Sequence, residues 1–262
     1  MRISKTLLST LFVGVAFSGS VFASTCAELP KAAELKSTLT SIATGPVANS
    51  GMGMPVWLSL VDTAGTVCAI VHSLPDDVDV TTELSMGHRI YSIHKANTSN
   101  AFSHSKISIA TATLFTATQP GGALSSDAAL NSPLSIFNGN TKTFGTTKDP
   151  LIGKRVGGIT GLGGGLALFD SNKKKVGAIG VSGDTLCTDH VIAWKVREAL
   201  KDGAYTVANV PFGVSSTHQD QMVQDITESP YGGAGLSKGT YGHPQCTNNP
   251  TDATDGGAIE GN

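Results

Sequence analysis

The chain has 262 residues, of which 40% are hydrophobic, and 18 basic against 20 acidic side chains give a formal net charge of −2. A near-neutral chain without basic clusters argues against nucleic acid as a partner. Its length and hydrophobic content are sufficient for one globular domain with its own core. We therefore expect one domain followed by a tail.

The N-terminus has the pattern of a secretory signal peptide. Arg2 and Lys5 precede an apolar run that continues to Phe17, and small residues lead to a cleavage site after Ala23. A membrane span needs about 20 apolar residues, and polar residues interrupt this run, so a transmembrane helix is the weaker interpretation. No later segment is long and apolar enough to span, so we expect a periplasmic or secreted protein. The predicted parts are a signal peptide at 1–23, a folded domain at 24–205 and an irregular, Gly/Pro-rich tail at 206–262.

Four cysteines lie in the expected mature chain, namely Cys26, Cys68, Cys187 and Cys246. In an exported protein an even number of cysteines predicts up to two disulfides, and the three possible pairings stay open. A zinc site is disfavoured because no C-x-x-C or C-x-x-H spacing occurs. Cys187 has a second interpretation as a reactive thiol at the start of a helix, which the even cysteine count disfavours.

The predicted elements of the N-terminal half begin with an amphipathic helix at 27–43. After a Gly/Pro-rich break, the apolar runs VWLSLV and TVCAIV around the turn DTAG predict a β-hairpin. Apolar residues at helical spacing then predict a helix over 81–103, capped by Thr81 or Thr82. A second, shorter helix is expected from Ser105 onward.

The C-terminal half begins with a long, polar and turn-rich connection at 119–158, and such a connection inside a compact domain is usually functional or a lid. A second hairpin follows, in which SNKKK joins GGGLALFD to VGAIGVSG, and a helix of about 16 residues closes the domain. Hairpins with helices between them predict an antiparallel sheet in an α+β fold.

The stretch KVGAIGVSGDTLCTDH raises the question of whether Ser182 is a nucleophile. A nucleophile elbow needs G-x-S-x-G, but Asp184 occupies the last position. Neither a phosphate loop nor a dinucleotide-binding fingerprint is complete. The plainer interpretation is that Gly177 and Gly180 allow close packing on the sheet, while Ser182, Asp184 or Thr185 caps the following helix.

Three motifs occur along the chain in this order: the hairpin VWLSLVDTAGTVCAI, the helix SIHKANTSNAF and, most specific, GGGLALFDSNKKKVGAIGVSGDTLCTD. Together they resemble the motifs of the GlcG/HbpS-like haem-binding family, also called the haem-degrading domain family and related to the C-terminal domain of PduO-type corrinoid proteins. Residues of the third motif are Gly164, Gly165, Gly177, Gly180, Ser182, Gly183 and Asp189. The chain departs from the family pattern at Ala167, where proline is usual, and at Ser99, where alanine is usual.

The resemblance implies a profilin-like layered α+β fold with about five antiparallel strands flanked by helices, assembled as a homo-oligomer, and it implies haem as the ligand. Candidate ligands cluster in MGHRIYSIHKANTSNAFSHSK, because His and Tyr both bind haem iron and apolar neighbours can cover a porphyrin. The candidate haem-contacting residues are His88, Tyr91, His94, Lys95, Thr98 and His104.

His94 is the first choice for the iron ligand, because it shares the apolar stripe of the predicted helix with Ile90 and Ala101. If one helix holds both His94 and His104, they lie roughly 15 Å apart along its axis. That separation is too long for one iron, so bis-histidine ligation needs another element or another subunit. Asp189 is expected at the edge of the pocket.

Three functional hypotheses follow from these residues and the resemblance. The leading one is an exported protein that binds haem or a related tetrapyrrole reversibly, with no catalytic residue assigned. The second is an enzyme that degrades haem or acts on another small molecule beneath the long loop. The third is an oligomeric sensory accessory protein that meets its partner through a surface.

Overall fold

The computed structural model describes residues 25–44, 51–125, 134–217, 219–227, 235–246 and 257–260. The predicted signal peptide with its cleavage site at Ala23 lies outside the described residues, as do residues 126–133 of the long connection and parts of the tail. Among the described helices, none is both long and apolar enough to span a bilayer.

The core is an antiparallel sheet made from the two predicted hairpins. Strands β1 (Trp57–Asp62) and β2 (Val67–His72) form the first hairpin, and β3 (Gly165–Phe169) and β4 (Lys175–Ser182) form the second. The strand order is β2-β1-β4-β3, with β1 and β4 paired at the centre. The predicted α+β fold with an antiparallel sheet is confirmed, but the described sheet has four strands and not about five.

The outer edge of β2 is covered by the long connection instead of a further strand. The Val67 N–H donates to the carbonyl of Lys154 at 2.9 Å, and the Gly153 N–H donates to the carbonyl of Val67 at 2.8 Å. Gly153 has a φ of 81°, which is incompatible with extended backbone. Pairing along this edge is therefore limited to a short irregular contact.

Five α-helices accompany the sheet in the described part of the chain: α1 (Ala32–Ala43), α2 (Val80–Glu83), α3 (Met86–Phe102), α4 (Phe115–Thr118) and α5 (Leu186–Ala199). Single 3-10 turns are found at Thr111–Leu114, Leu134–Phe137, Thr141–Thr143, Leu200–Gly203 and Val207–Asn209. Alternation along β1 divides the core into two layers. Leu58 and Leu60 pack with α1 and α5, whereas Trp57 and Val61 pack with α3.

The helix predicted over 81–103 is divided into α2 and α3. Asp79, and not Thr81 or Thr82, caps α2, because its carboxylate accepts a hydrogen bond from the Thr81 N–H at 2.9 Å. Leu84 has extended backbone and ends α2 before α3 begins at Met86. Apolar residues continue at helical spacing across both helices, so their periodicity predicted one helix and gave no indication of the break at Leu84.

Two other predicted helix boundaries are wrong. The first helix begins at Ala32 and not at residue 27, since the residue before Pro30 disfavours helical backbone. The helix expected from Ser105 is reduced to one 3-10 turn and α4. Serine and threonine hydroxyls compete with helical hydrogen bonds here, as the Thr113 Oγ1 does by donating to the carbonyl of Ala110 at 2.8 Å.

Of the three candidate caps of the final helix, Ser182, Asp184 and Thr185, the structure has Thr185, whose Oγ1 accepts a hydrogen bond from the Thr188 N–H at 3.2 Å. The expected disulfides are present, and the structure decides their pairing: Cys26 is bonded to Cys68, and Cys187 to Cys246. The first bond ties the N-terminal segment to β2. The second ties the tail to α5.

The tail is mostly irregular where it is described, yet it packs into the core. It contributes a short parallel pair, β5 (Met222–Val223) and β6 (Ile259–Glu260). Its Asp220 is fully buried and accepts hydrogen bonds from Arg197 Nη1 at 2.6 Å and Ser108 Oγ at 2.8 Å. His190 is also fully buried, and burial lowers its pKa to about 3.

Candidate functional site

Glycines of the third motif allow α3 to lie directly on β3 and β4. A Cβ at Gly180 would overlap the carbonyl oxygen of Ser92, and one at Gly165 would overlap that of Lys95. The other motif glycines that face backbone carbonyls without space for a Cβ are Gly164, Gly177 and Gly183. Of the two glycines predicted to allow close packing on the sheet, Gly180 faces α3, whereas Gly177 faces the carbonyl of Val61 in β1.

Lys95 and Asp189 form a buried ion pair between α3 and α5. Lys95 Nζ donates to Asp189 Oδ2 at 2.7 Å and to the carbonyl of Val181 at 2.9 Å, and both residues are 1% exposed. The Asp184 N–H donates to Asp189 Oδ1 at 3.0 Å. Burial lowers the pKa of Lys95 and raises that of Asp189, while the attraction between them opposes both shifts. The charges of these two motif residues are therefore directed at each other inside the protein.

Three candidate residues form one row on the outer side of α3, and we call His88, Tyr91 and His94 the ring face. The ring centroids of His88 and Tyr91 are 6.4 Å apart, and those of Tyr91 and His94 are 6.0 Å apart. Tyr91 is exposed, and both histidines are half-buried. Burial lowers the pKa of both imidazoles, and Lys95 lowers that of His88 further. Both imidazoles are therefore neutral near pH 7.

The end of the long connection lies against the His94 ring. A Cβ at Gly158 would overlap this ring and lie 2.7 Å from Nε2. Thr98 and Asn97 hold this segment on α3, because the Thr160 N–H donates to Thr98 Oγ1 at 3.0 Å and Asn97 Nδ2 donates to the carbonyl of Gly158 at 3.2 Å. Thr98 is buried, so its hydroxyl positions the connection.

His94 does not lie on a continuous apolar stripe, and His104 does not lie on the same helix as His94. Ile90 is buried and Ala101 is exposed, so they do not form one uniform surface with His94. His104 lies beyond the end of α3 in an exposed turn, where its Nδ1 accepts a hydrogen bond from the Lys106 N–H at 3.2 Å. His104 is therefore outside the ring face.

Ser182 makes a contact that sequence analysis missed. Its Oγ lies 2.9 Å from Nδ1 of His88, although the two residues are 94 positions apart. Ser182 is the last residue of β4 and is 2% exposed. A serine this deeply buried is poorly placed to attack a substrate, which agrees with the incomplete nucleophile motif. The pattern of apolar residues and glycines around Ser182 predicted the strand, but it did not indicate that Ser182 contacts His88.

The second half of the long connection is fixed to α3 by a buried ion pair. Arg89 Nε donates to Asp149 Oδ2 at 2.9 Å, Nη2 contacts Oδ1, and both side chains are at most 1% exposed. Asp149 also accepts hydrogen bonds from the N–H groups of Gly145 and Leu151, and the Arg89 guanidinium lies 3.8 Å from the Phe144 ring centre. This half of the connection is thus part of the core.

A surface cavity of about 370 Å³ lies away from the ring face. It is bounded by the end of β2, the start of α2 and residues 141–146 of the connection. His72 forms part of its wall, and burial together with Lys36 lowers the pKa of this imidazole to about 4. The cavity contains none of the candidate haem-contacting residues.

The comparisons with known proteins agree with the motifs. The profile of the family described as "Haem degrading protein HbpS-like" matches residues 37–198. No curated protein is a significant match. A crystal structure of a PduOC:heme complex is 23% identical over 66% of this chain and 96% of that chain, with a TM-score of 0.41. The Klebsiella pneumoniae protein ORFY is 22% identical over 66% and 86%, with a TM-score of 0.39. At TM-scores this low, neither structure is evidence for or against a particular ligand of this chain.

Proposed function

This chain belongs to the family of HbpS-like haem degrading proteins, and from that membership we propose that it binds haem on the ring face of α3. The observation that carries the proposal is the row of His88, Tyr91 and His94, with ring centroids 6.4 and 6.0 Å apart. Imidazole and phenolate are both ligands of haem iron, and Tyr91 offers an exposed aromatic ring for contact with a porphyrin.

The residues of the ring face fit a haem group. Their imidazoles are neutral near pH 7 because burial lowers their pKa, so a metal ion would not need to displace a proton from a charged ring. Bound haem would supply a coloured iron centre. The protein's own residues would bind one porphyrin face and hold the ligating nitrogen in place.

Reversible binding is better supported than turnover beneath a lid. A lid formed by the second half of the long connection would have to separate Arg89 from Asp149, which are both buried and hydrogen-bonded. Opening would lose this ion pair and expose Phe144 and Leu151, which are buried in the same segment. The fixed connection is therefore better described as a wall beside the ring face.

Titration with ferric haemin tests the proposal. The disulfide-bonded protein should shift the Soret band, and Tyr91→Ala should weaken binding of both haemin and metal-free protoporphyrin IX. His104→Ala is the matched control, because it removes an exposed histidine outside the ring face. Unchanged porphyrin affinity in Tyr91→Ala, or loss of affinity in the His104 variant alone, would contradict a site on the ring face.

We also propose that the protein is exported and self-associates. The two disulfides support an oxidising compartment, and a second copy would offer the further ligand that bis-histidine coordination needs. The intact mass of protein from cell fractions should correspond to a chain that starts at Ser24. Light scattering with and without haemin should give a mass above that of a monomer, and a monomer under both conditions would refute self-association.

A further inference from the structure

We propose that His88 is the imidazole that binds iron and that the buried Ser182 is its positioning residue. This assignment rests on the proposed function and makes it more specific, because the sequence favoured His94. The assignment depends on which histidine nitrogen is held by the protein and which one is open.

One nitrogen of His88 is anchored and the other is open. Nδ1 lies 2.9 Å from Ser182 Oγ. Among the described residues, Nε2 makes no hydrogen bond and is not one of the buried polar atoms without a partner, and His88 as a whole is half-buried. Metal-binding histidines typically have this arrangement, in which a hydrogen bond at one ring nitrogen selects the tautomer and directs the other nitrogen to the metal. His88 therefore has the orientation of a ligand before any ligand is bound.

Ser182 is a rigid anchor because the sheet and α5 fix its position. It ends the central strand β4, where it pairs with Trp57 of β1. The next backbone groups are also held, since the Asp184 N–H donates to the buried Asp189. A hydroxyl fixed in this way limits rotation of the His88 ring, which is otherwise only half-buried on the first turn of α3.

His94 lacks comparable access. Its Nε2 is so close to the backbone at Gly158 that an added Cβ there would lie only 2.7 Å away. The hydrogen bonds of Thr98 and Asn97 hold that backbone in place. The end of the long connection therefore covers the side of the His94 ring that includes Cγ, Cδ2 and Nε2. His94 therefore contributes ring surface beside the bound porphyrin, while His88 contributes the ligating nitrogen.

The test compares ferric haemin with metal-free protoporphyrin IX in single variants. His88→Ala should lose the histidine-ligated Soret and electron paramagnetic resonance spectra, keep its affinity for metal-free protoporphyrin, and recover the spectra when free imidazole is added. His94→Ala should bind both porphyrins more weakly, because it loses ring surface, but at saturating haemin it should keep the histidine-ligated spectra; His104→Ala should match the unmodified protein in both respects. Loss of ligation in His94→Ala but not in His88→Ala would overturn the assignment and leave the proposed function intact. If His88→Ala, Tyr91→Ala and His94→Ala each lost affinity for both porphyrins, the ring face could still be the haem site, but the assignment of His88 as the iron ligand would be overturned.

The role of Ser182 has its own measurements. Ser182→Ala should weaken haemin affinity by about 10- to 100-fold, whereas Ser182→Thr, which keeps the hydroxyl, should largely restore it. In the haem-free protein, nitrogen NMR should show His88 protonated at Nδ1, and Ser182→Ala should change the ratio of the two tautomers. Unchanged haemin affinity and unchanged tautomers in Ser182→Ala would overturn the positioning role. Absence of any porphyrin binding by the unmodified protein would instead refute the proposed function.

Discussion

Replacing Asp149 by asparagine tests whether the long connection is a wall or a lid. The change keeps the shape of the side chain but leaves the Arg89 guanidinium without its counter-ion in a site that is 1% exposed. Asp149 also receives hydrogen bonds from the Gly145 N–H at 2.9 Å and the Leu151 N–H at 3.0 Å. Loss of one partner from a buried pair typically costs about 3–5 kcal/mol. For a chain of this size, the melting temperature should fall by about 6–20 °C.

Urea denaturation with both disulfides intact measures this free energy of unfolding. The matched control is Asp77→Asn, at an exposed aspartate, which should change stability by no more than about 0.5 kcal/mol. The double variant Arg89→Met, Asp149→Leu removes both charges and should recover most of the loss, because apolar pairs often replace buried ion pairs at little cost. A loss below about 1 kcal/mol in Asp149→Asn would refute the reasoning. Hydrogen exchange at residues 141–152 should rise in Asp149→Asn, since the ion pair fixes this segment.

The remaining predictions concern packing and pH. Burial lowers the pKa of His190 to about 3, so as the pH falls the unfolded chain binds a proton at this residue before the folded protein does. The free energy of unfolding should therefore fall by about 2 kcal/mol between pH 7 and pH 5 because of His190. Urea titrations at both pH values should show this loss in the unmodified protein and not in His190→Leu. Replacing Cys187 and Cys246 by serine opens a bond across 59 positions, which should cost about 4 kcal/mol in chemical denaturation. Gly180→Ala should destabilise by about 1–3 kcal/mol, because its Cβ meets a helix carbonyl, whereas Gly87→Ala, with open space around it, should stabilise slightly in the same thermal melts.

The two hairpins and the last helix could be predicted because their signals are local. Alternating apolar runs around a turn define a hairpin, and Thr185 before an amphipathic run defines the start of α5. The break at Leu84 could not be predicted, since apolar spacing continues across it. The helix expected after Ser105 failed because its hydroxyls bond to local backbone and to the distant Asp220, and periodicity does not describe such competition.

For the candidate site, the sequence nominated residues of one segment but gave no contacts between them. Its predicted helix included His88, Tyr91 and His94, and in the structure these three side chains form one row on α3. It did not connect His88 to Ser182 or Arg89 to Asp149, because these pairs are 94 and 60 positions apart. Such pairs are brought together by the sheet and by the course of the long connection, and neither is encoded in local spacing.

The two sides of α3 separate the contacts that hold the fold together from the residues of the proposed haem site. On the inner side, the lack of a side chain at Gly180 lets the helix lie close to the sheet, and the buried Lys95–Asp189 pair links α3 to α5. On the outer side, the half-buried histidines have space that the interior lacks. Ser182 is the residue that joins the two sides, because it belongs to the rigid sheet and contacts His88. The His88 imidazole is therefore held by the same strand whose glycines allow α3 to lie close to the sheet.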